Sequence, residues 1–124
     1  MSAVDSHLCD RMQAIFWFIA MKPDVRFILG HHIQCRMSEY PRYISAMLDQ
    51  LPPPASPELL ALLQEEKMLL ESILRYNSEI RKKQNPDTVV EMKRICRRAI
   101  SRLDFVYKQI RVLVPDRKIM IISD

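Results

Sequence analysis

Glycine is almost absent from this sequence: Gly30 is the only one in 124 residues, against eight prolines. Glycine lets a backbone adopt positive φ or approach a phosphate closely. A chain with one glycine therefore lacks the Walker loop, the dinucleotide-binding fingerprint and the nucleophile elbow, each of which needs several. It is also poorly supplied for the tight turns of a β-sandwich or barrel. These absences exclude the common nucleotide-binding enzyme classes.

Long apolar runs are also missing. The longest run, 14–21, has eight residues, well short of the roughly 20 that span a bilayer. Asp5 and Asp10 stand where a signal peptide would be positively charged. The three cysteines are an odd and widely spaced set, which is typical of reduced thiols. We therefore expect an intracellular protein, cytoplasmic or nuclear, without a membrane span.

Histidine and cysteine occur together twice, in the only groupings that suggest a metal. The residues are His7, Cys9, His31, His32 and Cys35. Their spacing matches no zinc signature, and the chain has no Cys-x-x-Cys pair. It also lacks the Glu-x-x-His pair of di-iron bundles. We expect no metal, no cofactor, no small-molecule substrate and no catalytic residues.

The composition is that of a single globular domain. Apolar residues make up 48% and charged residues 27% of a 14.7 kDa chain. The sequence predicts an all-α fold, residues 1–124, with one internal boundary in the proline-rich stretch 52–55. This boundary separates an apolar helical front (1–51) from a basic helical hairpin (56–114) and a short tail (115–124).

Three shorter helices are predicted in the front. The first begins at residue 5 or 6 and ends near Pro23. The second covers 24–37 and is interrupted by Gly30; a strand over 25–29 is the alternative. The third covers 38–51, with a proline in its first turn.

Two long helices, 57–83 and 86–113, are predicted beyond the prolines. Ser56-Pro57-Glu58 and Asn85-Pro86-Asp87 each combine an N-cap, a first-turn proline and a first-turn acid. Each helix is about 40 Å long at 1.5 Å per residue, and the short link predicts antiparallel packing. Apolar residues alternate by three and four along both helices. The predicted seams are Leu59, Leu62, Glu66, Leu69, Ile73, Tyr76 and Ile80, and Val89, Met92, Cys96, Ala99, Leu103, Val106, Ile110 and Leu113.

Glu66 is the one charged residue in these seams. A chain reversal near Asn85 brings Glu66 level with Leu103, so an ion pair with Arg102 is our hypothesis. In the tail, the apolar run 119–122 is too short for a helix. It predicts a short strand or an extended segment docked in a groove.

Positive charge is concentrated in the second half of the chain. Residues 81–118 contain 12 basic and four acidic residues, whereas residues 1–55 contain five of each. At 100° per residue, one side of the last long helix carries most of the basic residues. The candidate binding residues are Arg94, Arg97, Arg98, Arg102, Lys108 and Arg111, accompanied by Lys93, with Arg81, Lys82 and Lys83 at the hairpin tip. This face either is merely hydrated or binds phosphates.

Bulky apolar residues exceed what one helix face needs in the front half. Candidate protein-interface residues are Trp17, Phe18, Phe27, Ile28 and Phe105. The sequence therefore predicts a non-catalytic interaction or assembly subunit with coiled-coil-like helix surfaces, forming a homo-oligomer or part of a larger complex. The alternative is a protein that grips duplex RNA or DNA through its phosphates; an acidic membrane surface is a weaker third option.

Overall fold

The computed structural model describes residues 3–22, 24–30, 33–50, 56–82 and 85–122, with side chains described from Met12 onward. In chain order the elements are α1 (Ala3–Met21), β1 (Arg26–Leu29), β2 (Gln34–Arg36), a 3-10 turn (Met37–Glu39), α2 (Tyr40–Gln50), α3 (Pro57–Arg81), α4 (Pro86–Leu113) and β3 (Ile119–Ile121). Helices α3 and α4 pack on each other, α1 packs on α4, and α2 packs on α3. The predicted all-α architecture is confirmed, with a small sheet added to it.

The long hairpin begins each of its helices as predicted. The Ser56 side chain accepts a hydrogen bond from the N–H of Leu59 at 3.4 Å. The Asn85 side chain accepts one from the N–H of Asp87 at 2.9 Å. A proline follows each cap, where its missing N–H has no intrahelical acceptor. The described part of α3 ends two residues before the predicted end at Lys83, which lies outside the described residues.

The buried line of α4 includes much of the predicted seam, whereas that of α3 is rotated from the prediction. The buried predicted positions of α4 are Cys96, Leu103, Val106 and Ile110. The buried positions of α3 are Leu63, Glu66, Leu70, Ile73 and Asn77. The predicted positions Leu59, Leu62, Leu69 and Tyr76 are half-buried beside the core. The rotation arises because α3 packs against both α4 and α2, so the line facing both is the most deeply buried.

The predicted helix over 24–37 is wrong. This segment forms β1 and β2, which pair antiparallel with Phe27 opposite Cys35. The alternative prediction, a strand within 25–29, is confirmed for Arg26–Leu29. Tertiary packing decides the outcome, because β1 also pairs with a strand from the far end of the chain.

Gly30 ends β1 in a conformation that explains why glycine is used there. Its φ of 56° lies in the left-handed region, which residues with a Cβ seldom adopt. A Cβ at this position would lie 3.2 Å from the Cα of Arg117 and 3.3 Å from the carbonyl oxygen of Asp116. The glycine N–H also donates to the carbonyl oxygen of Lys118 at 3.2 Å. Gly30 therefore lets the tail lie close against the end of β1.

The tail forms the third strand of the sheet. Of the two predictions for this segment, the short strand is therefore confirmed. The strand order is β2-β1-β3, and β1 pairs antiparallel with both neighbours. Alternate residues face the core because successive side chains of a strand point to opposite sides. The buried residues of the sheet are Phe27, Leu29, Cys35 and Ile119.

Side chains partly satisfy both free edges of this sheet. On β2, the N–H of Arg36 donates to the carboxylate of Glu39 at 3.0 Å. On β3, the N–H of Ile119 donates to the hydroxyl of Tyr107 at 3.0 Å. These bonds occupy backbone donors that an added strand would need, so the sheet is a poor template for another strand.

The shorter helices differ from their predictions mainly at their ends. Helix α1 begins at Ala3, two or three residues before the predicted start, and ends at Met21. Helix α2 covers Tyr40–Gln50 within the predicted 38–51, because the preceding turn is a 3-10 helix. The predicted boundary at 52–55 lies outside the described residues.

An ion pair in the interior joins the tail to the hairpin. Glu66 is fully buried and Arg117 is 3% exposed. The two terminal guanidinium nitrogens of Arg117 donate to the two carboxylate oxygens of Glu66, at 2.9 and 2.5 Å. The hydroxyl of Tyr40 donates to Glu66 Oε2 at 2.8 Å. The hypothesis of a Glu66–Arg102 pair is therefore wrong, because Glu66 points into the interior, where Arg117 reaches it.

Burial and charge act together on this cluster. Burial, aided by the adjacent Glu66 carboxylate, raises the pKa of Tyr40 well above its ordinary value. The phenol therefore keeps the proton that it donates. Burial disfavours the charge of Arg117, but the oxygens of Tyr40 and Glu66 more than offset this, so its pKa lies above the ordinary value. Arg117 therefore keeps its charge in the interior.

Candidate interaction surface

Four of the predicted basic binding residues form ion pairs within the chain. The pairs are Arg94–Glu91 at 2.5 Å, Arg102–Glu65 at 2.8 Å, Lys108–Asp104 at 3.1 Å and Lys82–Glu79 at 2.9 Å. The Arg102–Glu65 pair joins α4 to α3 through two hydrogen bonds, at 2.8 and 2.9 Å. The other three lie within one helix or at its end. Acidic neighbours thus offset part of the positive charge that the sequence concentrates here.

These pairs shift the pKa values of their exposed carboxylates. The hydrogen bond from Arg102 lowers the pKa of Glu65. The hydrogen bond from Arg94 likewise lowers the pKa of Glu91. Exposed pairs of this kind contribute little to stability, because water screens them.

Two further predicted basic residues lie over aromatic rings. The guanidinium carbon of Arg97 is 5.0 Å from the ring centroid of Trp17, which joins α4 to α1. That of Arg111 is 5.8 Å from the ring centroid of Tyr107. Arg81 and Arg98 are exposed, and Lys83 lies outside the described residues. The predicted basic set is therefore divided among several local interactions.

The predicted apolar interface residues also differ in exposure. Phe27 does not fit the prediction, because it is fully buried and packs against Tyr40 with ring centroids 5.6 Å apart. Trp17 and Ile28 are half-buried. Phe18 is 36% exposed, and a lysine ammonium lies over its ring.

Phe105 is the predicted interface residue with the most exposed side chain, at 49%. It lies on the outer side of α4, and the Arg102 guanidinium carbon is 4.8 Å from its ring centroid. Val112, two turns further along the same side, is 75% exposed. Arg98 lies two turns before Phe105. We call Arg98, Arg102, Phe105 and Val112 the Phe105 face.

A shallow hollow lies on the outer side of α3. Its volume is about 390 Å³ and its lining residues are Ala61, Gln64, Glu65, Met68, Leu69 and Ser72. Met68 is 69% exposed and lies beside the half-buried Leu69, so the hollow has an apolar part. We call these six residues the Met68 hollow. The hollow was not predicted: helical spacing places Met68 opposite the predicted seam but does not show that its neighbours leave a hollow beside it.

The Phe105 face and the Met68 hollow share one salt bridge. The Arg102 guanidinium that covers Phe105 is the one that bonds to Glu65, a lining residue of the hollow. The two features are therefore neighbours on the same side of the helical hairpin. Together they form two apolar features that are joined by an exposed salt bridge.

Two other clefts lie away from this side. One, of about 260 Å³, lies between α1 and α4 beside Trp17 and Arg97. The other, of about 400 Å³, lies near the end of α3, where Asn77 donates a hydrogen bond to the backbone oxygen of Ala20. Neither cleft contains a histidine, cysteine or carboxylate among its lining residues.

The cysteine side chains that are described are buried thiols. Burial raises the pKa of Cys35 to about 12 and that of Cys96 to about 11. Within the described residues, no three histidine, cysteine or acidic side chains come close enough together to hold a metal. His31 and His32 lie outside the described residues, as do the side chains of His7 and Cys9.

No helix in the described ranges is both long and apolar enough to cross a membrane. The chain matches no family model, no curated protein and no solved structure. A proposal for its function therefore depends on the geometry of its own residues.

Proposed function

We propose that this chain is a non-catalytic interaction subunit that binds a helical protein partner through the outer side of its helical hairpin. One observation carries the proposal: Phe105, 49% exposed, lies at the centre of a charged face with Arg102 stacked on it. Aromatic and arginine side chains dominate the energetics of protein interfaces, where an apolar centre is surrounded by a polar rim. Phosphate binding alone would not require such a centre.

The distribution of charge supports a protein partner over a nucleic acid. A phosphate-binding face needs lysines and arginines that are free to neutralise phosphates. Here Arg94, Arg102 and Lys108 already have carboxylate partners. A nucleic acid would have to compete with those carboxylates or be repelled by them.

The described thiols support a non-catalytic role in a reducing compartment. A cysteine nucleophile needs a lowered pKa and access to substrate. Cys35 and Cys96 have neither, because burial raises the pKa of both. Free thiols also favour an intracellular location, since oxidising compartments promote disulfides.

Duplex binding is the second candidate function, and exposed Arg81 and Arg98 favour it. A protein that neutralises about five phosphates loses affinity for duplex DNA with a log–log salt slope near −4.5. A measured slope of that size, which Arg98→Glu makes less steep, would support this candidate over the protein partner.

The test compares proteins co-purified from native lysate with three baits, each with and without nuclease. The baits are the wild type, Phe105→Asp and Val90→Asp. Val90 is a matched control because it is 67% exposed on the same helix but lies four turns from Phe105. We expect a discrete protein partner that resists nuclease, falls at least tenfold with Phe105→Asp, and persists with Val90→Asp. The proposal would be contradicted if nuclease treatment abolished co-purification of the partner, or if Phe105→Asp left co-purification unchanged.

A further inference from the structure

The outer side of the hairpin has a projection next to a depression. Phe105 projects from α4, and the Met68 hollow of about 390 Å³ lies on α3. Arg102 links them, since it covers Phe105 and bonds to Glu65 of the hollow. A surface that carries both a projection and a matching depression fits a second copy of itself after a two-fold rotation.

The hollow has the size and chemistry to accept an aromatic ring. Small residues, Ala61 and Ser72, lie among its lining residues, and the exposed Met68 thioether is available to contact a ring edge. Methionine packs well around irregular apolar groups because its side chain is unbranched and flexible. A phenylalanine ring from outside would cover the exposed part of Met68.

The charges on the two helices complement each other under the same rotation. From 57 to 74, α3 carries Glu58, Glu65 and Glu71 against one lysine, apart from the buried Glu66. The facing side of α4 carries Arg98 and Arg102. A two-fold rotation lays this basic side of α4 in one copy along the acidic stretch 57–74 of α3 in the other, before Arg75 and Arg81 restore the balance of charge. Those same glutamates would repel the phosphates of a nucleic acid.

We propose that two copies of this chain form a closed two-fold dimer in which each Phe105 occupies the Met68 hollow of the other copy. The proposal rests on the proposed function and deepens it by naming a second copy as the partner. The Arg102–Glu65 pairs of the two copies meet near the axis, where each arginine can also reach the partner's glutamate. The contact is isologous, so it closes at two copies.

Sedimentation equilibrium of the full chain tests the dimer. As concentration rises, the apparent mass of the wild type is expected to reach twice the chain mass of 14.7 kDa and to increase no further. Phe105→Asp puts an unpaired charge into the hollow, and Ala61→Trp fills the hollow. Each is expected to weaken the dimer at least about 30-fold, the loss of a hot-spot residue. Val90→Asp is expected to leave the dimer unchanged.

Mixing the two disruptive variants tests whether the contact is reciprocal. In a mixed dimer, Phe105 of the Ala61→Trp chain meets an intact hollow on the Phe105→Asp chain, so one of the two contacts survives. The mixture is therefore expected to associate more strongly than either variant alone. Helical circular dichroism checks that each variant folds, and Phe105→Ser replaces Phe105→Asp if the latter does not.

A monomeric wild type at all concentrations, masses that rise beyond the dimer, or a dimer unaffected by both variants would overturn this inference. A nucleic acid that co-sediments and is needed for the dimer would overturn it as well. These failures differ from failure of the proposed function. A monomeric wild type whose protein partner is still lost with Phe105→Asp leaves the proposed function standing and removes only the second copy as partner.

Discussion

Two neighbouring glutamates in α3 occupy opposite environments. Glu66 lies in the interior, where Arg117 and Tyr40 bond to it. Glu65 lies at the surface, where Arg102 forms an equally well aligned pair with it. Both pairs are bidentate, and both join α3 to a segment distant in sequence. The largest difference between them is burial, and the interior pair also has the Tyr40 hydroxyl as a further donor.

Burial changes what each pair can do. An interior carboxylate must be compensated, since an unpaired charge away from water is costly. The Glu66 pair therefore fixes the tail, which carries Arg117, to the hairpin. A surface pair is screened by water and is free to exchange partners. The Glu65 pair is thus suited to a surface that meets another molecule.

Removing the interior carboxylate is expected to have the largest effect. Glu66→Ala leaves the Arg117 guanidinium buried without its partner, so the free energy of unfolding should fall by about 3–5 kcal/mol. Urea unfolding measures this, with Glu65→Ala as the matched control one residue away. A loss below about 1 kcal/mol would show that the tail detaches easily and that the pair does not hold it.

A triple variant sharpens the same comparison. Glu66→Leu, Arg117→Met and Tyr40→Phe together replace the polar cluster with apolar groups of similar size. Such replacements are often neutral or stabilising, because no charge has to be desolvated. The triple variant is therefore expected to unfold at a higher urea concentration than Glu66→Ala. A triple variant less stable than Glu66→Ala would mean that packing, not charge pairing, governs this site.

The contact between the tail and β1 is expected to show a smaller effect. Gly30→Ala forces a Cβ into the left-handed region and close to the backbone of Arg117, which should cost about 1–2 kcal/mol. Asparagine tolerates the left-handed region better. Thermal unfolding of Gly30→Ala beside Gly30→Asn therefore separates backbone strain from crowding. Equal stability of all three chains would contradict the close approach of the tail.

The surface pair is expected to show the smallest effect on folding. Glu65→Ala should change the free energy of unfolding by less than about 1 kcal/mol. The pKa of Glu65 is lowered in the folded chain, so its stabilisation is present above the ordinary glutamate pKa and is lost as pH falls through the folded value. The difference between Glu65→Ala and wild type should therefore vanish in acid. A difference that grows in acid would contradict this assignment.

The sequence predicted what depends on local signals. The caps at Ser56 and Asn85 set the starts of both long helices, and the apolar seam of α4 follows from its spacing. The sheet could not be predicted as a whole, because β1 pairs with a strand about 90 residues further along the chain. The Glu66–Arg117 pair depends on the same distant contact. The helical spacing predicted that Glu66 lies near Arg102. It holds no information on the path of the tail, which brings Arg117 to Glu66.

The candidate surface was predicted in part for the same reason. Phe105 and the arginines around it follow from helical periodicity on α4 alone. The Met68 hollow depends on how side chains of different size stand beside one another after α3 and α4 have packed. The sequence predicted both Phe105 and Phe27 as interface residues. Phe105 is exposed, whereas Phe27 is buried because it lies in the sheet, which could not be predicted.

Cross-linking between two different chains, each with one introduced surface cysteine, tests the role of the outer surface most directly. Phe105→Cys and Ala61→Cys are prepared in a Cys9→Ser chain and mixed with a short bis-maleimide. Cys35 and Cys96 are buried with raised pKa values, so they should react slowly. Mass spectrometry is expected to find the 105–61 product in excess over 105–105 and 61–61 products. Equal yields of the three products, or none, would contradict the assignment of this surface to association.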